Sequence, residues 1–514
     1  MKYKILWADM HSNPHHEQIG DLDRWLDHAR KNLDFWPVAY YPFYSCHLPN
    51  GLVLEETLDP EKMKEDWEKV RQLTEKANEE GFPMFMGYEW QGSGQDGDHN
   101  VFFLHNDGEM AMPLNYKDLV EHYRGQAVIG IPHHVAYQPG FRGKNWDTHD
   151  EQFSPFAEIY SSHGCSENDY GLLAMSRHSH MGPRTGETCG EQGLARGYKL
   201  GLIASGDNHL VPAVFAYGTM AALTTGNSKE EIWDALVNRR VYGVSHERIK
   251  MDLTVDGQPM GSVIKPQKNA ELRLELECSN ALDRVEIIKD NRVVAVVNHT
   301  STWESRPLAK TVRFKFRLEL GWGPNTSVFP DQHTRHWSGR LETGGKLLSI
   351  ENVWSSYGQE VTHRDDHSCD FSLTTYQRSG KGHWMGSEDV TTEGFIFEIE
   401  DDLDSHIRLI IDGEEYEVMV REILNSGKLF ARLDESAKLL RERFGFTGYY
   451  RTEPVWRHAY KIKVNQGVPE AAYRTLITRT IDTTDCHNLR IRVYQRNGSL
   501  AWSSPLFTEE TANV

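Results

Sequence analysis

The residues that could do chemistry lie at the ends of short apolar segments in the first half of the chain. The segment 202–205 is apolar or small, and Asp207 and His209 follow it two positions apart. A buried strand that ends at a site has this pattern, because alternate residues of an extended segment point to the same side. Other apolar segments end at a histidine or a glutamate, and the residues concerned are His11, Glu89, His133 and His163. Together these endings predict one shared site.

Imidazole and carboxylate groups without cysteine predict a metal centre. Such a donor set suits Zn, Mn or Fe and differs from the cysteine-rich sets of structural zinc sites, and a glutamate among several histidines could bridge two ions. Water bound to such an ion becomes acidic enough to act as a nucleophile. Asp207 and His209 are the catalytic candidates that would orient this water and pass protons. His99 and His134 are candidates either to support the metal ligands or to contact substrate, with a purely structural role as the alternative.

Strand-like and helical patterns alternate before residue 245 and would position these endings. Apolar residues recur at helical spacing over 22–33 and over 61–80, where one face carries Trp67, Val70, Leu73 and Ala77. The repeated order of strand, ligand and helix predicts an α/β fold with its site at the carboxyl ends of the strands, as in an α/β barrel. The predicted strands are 3–6, 35–41, 82–88, 101–104, 128–131, 156–160 and 202–205.

The segment 166–196 is a long insertion between two ligand-bearing strands. It is rich in Gly, His, Arg and Ser and has little apolar periodicity, so it is predicted to be a lid or a substrate loop. Basic residues in and near it could hold an anionic substrate, although most surface cations have no specific role. The candidates are Arg142, Lys144, Arg177 and Arg184.

The second half of the chain has the pattern of β structure. Alternating apolar residues at 251–255 and 272–276, with the turn signal Asp256-Gly257 between them, predict a β-sandwich module. The segment from His363 to His367 has the composition of a metal cluster, but it lacks a strand end, so a solvated loop is favoured. The predicted domains are the site-bearing segment 1–245, a β-sandwich module at 246–310 and a β-rich region at 311–514.

Composition narrows the class of function. The chain has 514 residues and a formal net charge of −19, and this length predicts about two to four domains. A nucleic-acid partner would require a basic face, so none is predicted, and solubility explains the acidity more simply. The six cysteines form no C-x-x-C motif, which favours reduced thiols and a cytoplasmic location. No signal peptide and no membrane-spanning apolar run are found, so no membrane partner is expected.

The strand endings resemble those of the PHP (polymerase and histidinol phosphatase) superfamily of metal-dependent phosphoesterases, over about the first 245 residues. Within it, the likeness extends to a PHP-like branch with an appended β region. The motifs that carry it are Asp9-Met10-His11, Gly87-Tyr88-Glu89-Trp90, Ile131-Pro132-His133, the segments 158–164, 205–209 and 255–261, and Arg240-Val241-Tyr242-Gly243. The resemblance implies a distorted (β/α)7 barrel followed by β-sandwich-like domains, and hydrolysis of a phosphate ester.

The resemblance also implies which residues bind metal. His11 corresponds to the first histidine of the family pattern, and Glu89 to a bridging glutamate. The two middle histidines correspond to His133 and His163, which would complete one metal position with Glu89. Asp207 and His209 correspond to the final ligand pair, so the implied ligands are His11, Glu89, His133, His163, Asp207 and His209.

Two departures from the family pattern reduce the expected number of metals. Asn13 stands in place of a second histidine, and Tyr41 stands where the family has a ligand pair. One metal position is therefore weakened and another lacks a ligand, which His15 or His16 could replace. We expect one or two divalent metal ions per chain (Mn, Zn or Fe). Asn13 and Tyr41 become candidates for substrate binding, although simple packing explains Tyr41 equally well.

These observations leave three functions open. The first is a metal-dependent hydrolase, most simply a phosphoesterase that acts on a small phosphorylated molecule. The second is a hydrolase of a lactone, ester or amide at the same metal site. The third is a non-catalytic binding protein with a decayed metal site and ligand-binding β modules. The expected partners are a small-molecule substrate, which can be anionic, and a second copy of the chain in a homo-oligomer.

Overall fold

The computed structural model describes residues 3–47, 53–176, 181–376, 392–445 and 452–509. They form a mixed α/β structure with many strands and few helices, which confirms the predicted α/β class. Within these ranges, no helix is long and apolar enough to cross a membrane. The α-helices are α1 (Leu22–Asn32), α2 (Pro60–Glu79), α3 (Tyr116–His122), α4 (Gly190–Ala195), α5 (Lys229–Val237), α6 (Val420–Asn425), α7 (Leu433–Phe444), α8 (Glu453–His458) and α9 (Glu470–Tyr473).

Strands supply most of the remaining regular structure. Before residue 246 they are β1 (Lys4–Ala8), β2 (Trp36–Pro37), β3 (Phe43–His47), β4 (Val53–Thr57), β5 (Met84–Phe85), β6 (Gly87–Trp90), β7 (His99–Phe103), β8 (Val128–Pro132), β9 (Phe156–Ser161), β10 (Gly164–Cys165), β11 (Gly201–Ala204), β12 (Thr219–Thr224) and β13 (Val241–Val244). After it they are β14 (Lys250–Val255), β15 (Gln258–Pro259), β16 (Val263–Ile264), β17 (Ala270–Glu277), β18 (Leu282–Lys289), β19 (Arg292–Asn298), β20 (Thr311–Trp322), β21 (Thr334–Thr343), β22 (Lys346–Val353), β23 (Glu360–Arg364), β24 (Ser368–Tyr376), β25 (Thr392–Asp402), β26 (His406–Ile411), β27 (Glu414–Met419), β28 (Lys428–Ala431), β29 (Tyr460–Val464), β30 (Val468–Pro469), β31 (Arg474–Ile481), β32 (Asn488–Gln495), β33 (Leu500–Ser503) and β34 (Leu506–Thr508).

Helix α2 uses the amphipathic face that its sequence predicts. The side chain of Asp59 accepts a hydrogen bond from the backbone N–H of Glu61 at 3.0 Å, and Pro60 lies in the first turn. Both features favour a helix start, because the first turn has unpaired N–H groups and proline has none to lose. The face that packs into the apolar core around β5 and β6 carries Trp67, Val70, Leu73 and Ala77.

Parallel and antiparallel pairs both occur among the strands that carry the site. Strands β9 and β11 are parallel, as are β2 and β5. Strands β6, β7 and β8 are antiparallel neighbours, and β1 pairs with β12 in the antiparallel sense. The connection from β6 to β7 is short and contains no helix, and such a connection can join antiparallel strands but not parallel ones. The closed (β/α)7 barrel stays a prediction.

The last strands complete the sheet that begins with β1. The strand order is β1-β12-β13-β33-β32-β18-β19, and Gly243 of β13 lies opposite Trp502 of β33. This sheet therefore combines strands from all three of the predicted segments. The boundaries 1–245, 246–310 and 311–514 stay a prediction.

Two further sheets share one apolar core. Their strand orders are β22-β25-β20-β29-β28 and β23-β24-β21-β26-β27. Phe316 and Phe397 of the first sheet pack in the same core as Trp337 of the second. At the edge of this structure the side chains of His363 and Asp365 are 56% and 51% exposed. The expected solvation of this segment is found, although His363 lies in β23 rather than in a loop.

A buried network of ion pairs joins the insertion 166–196 to β32. The carboxylate of Glu167 accepts hydrogen bonds from Arg490, from Arg492 at 2.6 Å and from the indole of Trp502 at 2.7 Å. Burial alone would raise the pKa of Glu167, but the two guanidinium groups lower it. Arg490 also contacts Glu191 at 2.6 Å. Two separate parts of the insertion are thus anchored to β32, while the role of the insertion as a lid stays a prediction.

Replacing Arg490 by Met should destabilise the protein strongly. The Arg490 side chain is 0% exposed, and removing one partner of a buried ion pair costs about 3–5 kcal/mol. In R490M, Glu191 would lose its close partner, and Glu167 would retain only Arg492. The control is R273M, whose ion pair with Glu275 has side chains that are 40% and 48% exposed, and which should cost less than about 1 kcal/mol. Equal melting temperatures for the two variants would contradict a supporting role of this network.

Candidate metal centre

Asp9 ties the end of β1 to the loop that follows β11. One oxygen of its carboxylate accepts hydrogen bonds from the backbone N–H groups of His11 at 3.1 Å and Gly206 at 2.8 Å. The other accepts one from Ala213 at 2.8 Å. Burial raises the pKa of Asp9 to about 6, although these hydrogen bonds oppose the shift. The backbone N–H of Asp207 also donates to the carbonyl of His11 at 2.6 Å, so both ligand-bearing loops are held together.

A first group of donors consists of His11, Glu89 and His133. All three residues are buried, and their donor atoms lie within 4.8 Å of one another. His11 Nε2 is 3.6 Å from Glu89 Oε2, and His133 Nε2 is 3.8 Å from Glu89 Oε1. The glutamate thus lies between two imidazoles, in the arrangement predicted for a bridging ligand.

A second group of donors consists of His134, His163 and Asp207, again within 4.8 Å. His163 Nε2 is 2.8 Å from Asp207 Oδ2, while Asp207 Oδ1 is 3.3 Å from His11 Nε2. Asp207 therefore connects this group to the first. It adopts a left-handed backbone conformation with φ 50°, which is uncommon outside glycine and is found preferentially at functional sites.

A third group of donors consists of Asp98, His133 and His134. Asp98 was not among the predicted ligands, and His134 was predicted to support the ligands or to contact substrate. His134 Nε2 lies 3.5 Å from Asp98 Oδ2. Asp98 lies directly before β7, and it reaches the cluster because β7 pairs with both β6 and β8, a contact that residue spacing does not reveal.

The donors fit a divalent metal ion. Both ring nitrogens of His133, Nδ1 of His134, Nε2 of His11 and Oδ1 of Asp98 are buried and have no hydrogen-bond partner among the described residues. Buried polar atoms in proteins normally have such partners. Neutral imidazoles with carboxylates are the ligands of Zn, Mn and Fe, so a cation would satisfy atoms that are otherwise unpaired.

Two further side chains orient the donor rings from behind. Glu158 Oε2 lies 2.7 Å from His11 Nδ1, and the hydroxyl group of Tyr137 lies 2.5 Å from His163 Nδ1. Metal-binding histidines usually use their second nitrogen in this way, which sets the ring orientation and the tautomer. Neither residue was predicted to act here. For Glu158 a signal existed, because it is a carboxylate inside the apolar strand β9.

The residues of the cluster differ in the direction in which their pKa values are shifted. Burial alone would lower the pKa of His11, but the carboxylates of Asp207 and Glu158 raise it well above its usual value. Burial would raise the pKa of Asp207, but the surrounding histidines lower it. Burial lowers the pKa of His133 and of His134. A lowered pKa favours the neutral ring, which is the form that binds metal.

Asn13 and Tyr41, the two residues that depart from the family pattern, form hydrogen bonds with acidic side chains. The amide nitrogen of Asn13 donates to Glu89 Oε2 at 3.0 Å and to the carbonyl of Ala39 at 3.1 Å. The hydroxyl of Tyr41 donates to Glu55. Asn13 thus positions Glu89, and Tyr41 lies beside the cluster. Their predicted contacts with substrate stay predictions.

His209 lies at the margin of the cluster. Its Nε2 is 3.9 Å from Asp207 Oδ1, and its Nδ1 contacts Nε2 of His15. The three donor groups described above do not include His209. Of the two histidines that could replace the missing ligand, His15 is therefore beside His209, whereas His16 pairs with Asp66 at 2.7 Å.

The predicted cationic residues lie in different surroundings. Arg142 pairs with Asp98 at 2.5 Å, with Glu55 at 3.0 Å and with Glu89 at 3.5 Å. Arg184 donates to Ser166 Oγ at 2.7 Å and lies over the ring of Tyr137. Arg142 is thus already surrounded by carboxylates. Arg177 lies outside the described residues.

His99 and Lys144 form a separate buried pair. Nδ1 of His99 donates to the carbonyl of Gly97 at 3.0 Å, and its Nε2 lies 3.3 Å from Nζ of Lys144. The ring of His99 stacks on Tyr116 with centroids 4.5 Å apart. Both ring nitrogens therefore face protein groups rather than the three donor groups, which favours a structural role for His99.

Comparisons with known proteins add a distant likeness to solved structures. No protein-family model and no curated protein matches the chain. A solved structure from Bacteroides vulgatus, described as a two-domain protein containing a predicted PHP-like metal-dependent phosphoesterase, is similar with a TM-score of 0.32 and 13% sequence identity, covering 81% of this chain and 95% of that chain. A likeness this distant supports no conclusion about function, so the proposals below rest on the site and on the sequence.

Lys144 predicts a dependence of stability on pH. Burial lowers the pKa of its ammonium group from 10.5 to about 7 in the folded protein. Between these values the unfolded chain binds more protons, so the free energy of unfolding rises with pH. Replacing Lys144 by Met should abolish this rise. Relative to wild type, K144M should lose about 1 kcal/mol per pH unit between about pH 7.5 and 9.5.

Thermal melting at several pH values measures this difference. The control is K438M, because the side chain of Lys438 is 70% exposed and its loss should leave the pH profile unchanged. Parallel profiles for K144M and wild type would show that Lys144 titrates as an exposed lysine does.

Proposed function

We propose that this protein is a metal-dependent hydrolase, and specifically a phosphoesterase that acts on a small phosphorylated molecule. The observation that carries the proposal is the overlap of three buried groups of His, Asp and Glu donors, several of whose atoms have no hydrogen-bond partner. The phosphate ester is the substrate class implied by the resemblance of the strand endings to the PHP superfamily. One or two Mn, Zn or Fe ions per chain, a cytoplasmic location and a homo-oligomer belong to the same proposal.

A divalent ion held by His11, Glu89 and His133 would supply an acidified water and a Lewis acid. The side chains of the protein would then hold the reacting groups and move protons. Asp207, 3.3 Å from His11, would fix the orientation of the attacking water. His209 would accept the proton that this water loses. Its contact with the half-buried His15 would let the proton pass on toward solvent.

A second substrate class is favoured by the surroundings of the cationic residues. The charge of Arg142 is neutralised by three carboxylates, and Lys144 is buried beside His99. The charge of a phosphate group is neutralised by metal ions together with free cationic side chains, whereas a lactone, ester or amide needs only polarisation of its carbonyl oxygen. We therefore propose hydrolysis of such a neutral substrate as the alternative reaction at this site.

Loss of Glu89 tests the metal centre directly. In E89Q, the side chain that lies between the rings of His11 and His133 loses its negative charge, so the affinity of the site for metal should fall at least about tenfold. Hydrolysis should fall by about 100-fold or more. Elemental analysis of protein purified without chelator measures the metal content. The matched control is E275Q, because Glu275 is an exposed glutamate on β17.

The outcome of this measurement separates the function classes. One or two equivalents of metal in wild type and E275Q, but not in E89Q, would support the hydrolase. Absence of metal from wild type, even after addition of Mn and Zn, would refute it and favour a non-catalytic binding protein. Assays with phosphomonoesters, phosphodiesters, lactones and amides would then separate the two substrate classes. Full phosphatase activity in R184Q and R142Q would argue against a cationic clamp.

A further inference from the structure

We propose that Asp98 and His134 are metal ligands, and that with His133 they form a metal position outside the set implied by the PHP resemblance. This inference rests on the proposed function, because it assumes that the cluster binds metal. It goes further in assigning ligands that the family pattern does not contain. Three observations support it: the backbone conformation of His134, the buried atoms of His134 and Asp98 that have no hydrogen-bond partner among the described residues, and the hydrogen bonds of Asn13 and Tyr41.

The backbone of His134 is held in an unfavourable conformation that directs its ring into the cluster. Its φ is 34°, in the left-handed region that non-glycine residues rarely adopt. The backbone N–H of His134 donates to Glu158 Oε1 at 3.3 Å, while the other oxygen of Glu158 contacts His11. One buried carboxylate therefore fixes both the strained residue and a predicted ligand. Strain of this kind persists at functional sites because the surrounding structure imposes it.

The ring of His134 lies among predicted ligands with a nitrogen unused. The residue is 4% exposed, and Nδ1 has no hydrogen-bond partner among the described residues. Its ring centroid is 4.5 Å from that of His133 and 4.6 Å from that of His163. The rings of His133 and His134 form no hydrogen bond with each other. A shared cation would stabilise three imidazole rings that lie this close together.

Asp98 offers an oxygen that its ion pair does not use. The residue is 0% exposed, and Arg142 donates to Oδ2 at 2.5 Å. Oδ1 is buried without a partner. A carboxylate that only balanced the charge of Arg142 would gain from using both oxygens on the guanidinium group. The geometry instead resembles a ligand held from behind by a charged residue, as carboxylate ligands commonly are.

Asn13 and Tyr41 explain why additional ligands would be needed. Asn13 donates its amide nitrogen to Glu89 and to Ala39, and its amide oxygen, buried and unpaired among the described residues, offers a metal a neutral oxygen in place of the imidazole of the family pattern. Tyr41 is bonded to Glu55. The centre therefore lacks the imidazole that the family pattern has at position 13 and the ligands that it has at position 41. Asp98 and His134 would restore one carboxylate and one imidazole within it.

Metal titration of the full chain tests this assignment. Wild type, D98N, H134Q and the control H99Q are stripped with a chelator and titrated with Co²⁺, whose visible absorption reports the number and geometry of its ligands. We expect D98N and H134Q each to lose one equivalent, or to bind it at least about tenfold more weakly. H99Q should match wild type, because His99 is a buried neighbour whose nitrogens face Gly97 and Lys144.

Further variants separate a ligand from a residue that only supports the fold. D98E keeps the carboxylate and should recover most of the lost binding, and circular dichroism confirms that each variant is folded. If D98N does not fold, H134Q and D98E still decide the question. Wild-type binding in both D98N and H134Q would overturn this inference and leave the proposed function intact. Failure of wild type itself to bind Co²⁺ or Mn²⁺ would refute the proposed function instead.

Discussion

Burial of ionisable side chains is the constraint on which the rest of this structure depends. The carboxylates of Asp9, Glu89, Asp98, Glu158 and Asp207 are all nearly inaccessible to solvent. A buried charge is tolerated only where opposite charges or hydrogen bonds compensate it. Each of these groups has such compensation: backbone N–H groups for Asp9, the side-chain amides of Asn13 and Gln91 for Glu89, Arg142 for Asp98, and imidazoles for Glu158 and Asp207.

This requirement determines how the loops at the strand ends are arranged. A carboxylate can be compensated only if residues distant in sequence approach it, and Asp9 is bonded to Gly206 and Ala213 for this reason. The same principle applies to Glu167, which is buried against Arg490 and Arg492. The site and its supporting sheet are therefore connected by polar contacts as well as by apolar packing.

Much of this site could be predicted from the sequence, because the ends of apolar strands are recognisable without a structure. The residues identified in that way include His11, Glu89, His133, His163 and Asp207, and these do lie together. The buried face of α2 could likewise be predicted from its helical spacing. Such features depend on periodicity, which is local.

The remainder depends on contacts between segments distant in the sequence, which periodicity does not encode. The role of Asp98 arises because β7 pairs with both β6 and β8. The orientation of His134 depends on Glu158, a residue of another strand. Lys144 and His99, which were predicted to contact substrate, face each other in a buried pair, and their contact with substrate stays a prediction. Residue type alone does not distinguish a ligand from a neighbour of similar chemistry.

The position of β33 beside β13 has a consequence for the synthesis of the protein. Strand β13, Val241–Val244, is made long before β33, Leu500–Ser503, which is its partner. At a translation rate of roughly 5–20 residues per second, the apolar edge of β13 that pairs with β33 stays unpaired for tens of seconds. Such an edge can pair with other chains. The nascent chain therefore has an interval of vulnerability to aggregation in which binding by a chaperone would be most effective.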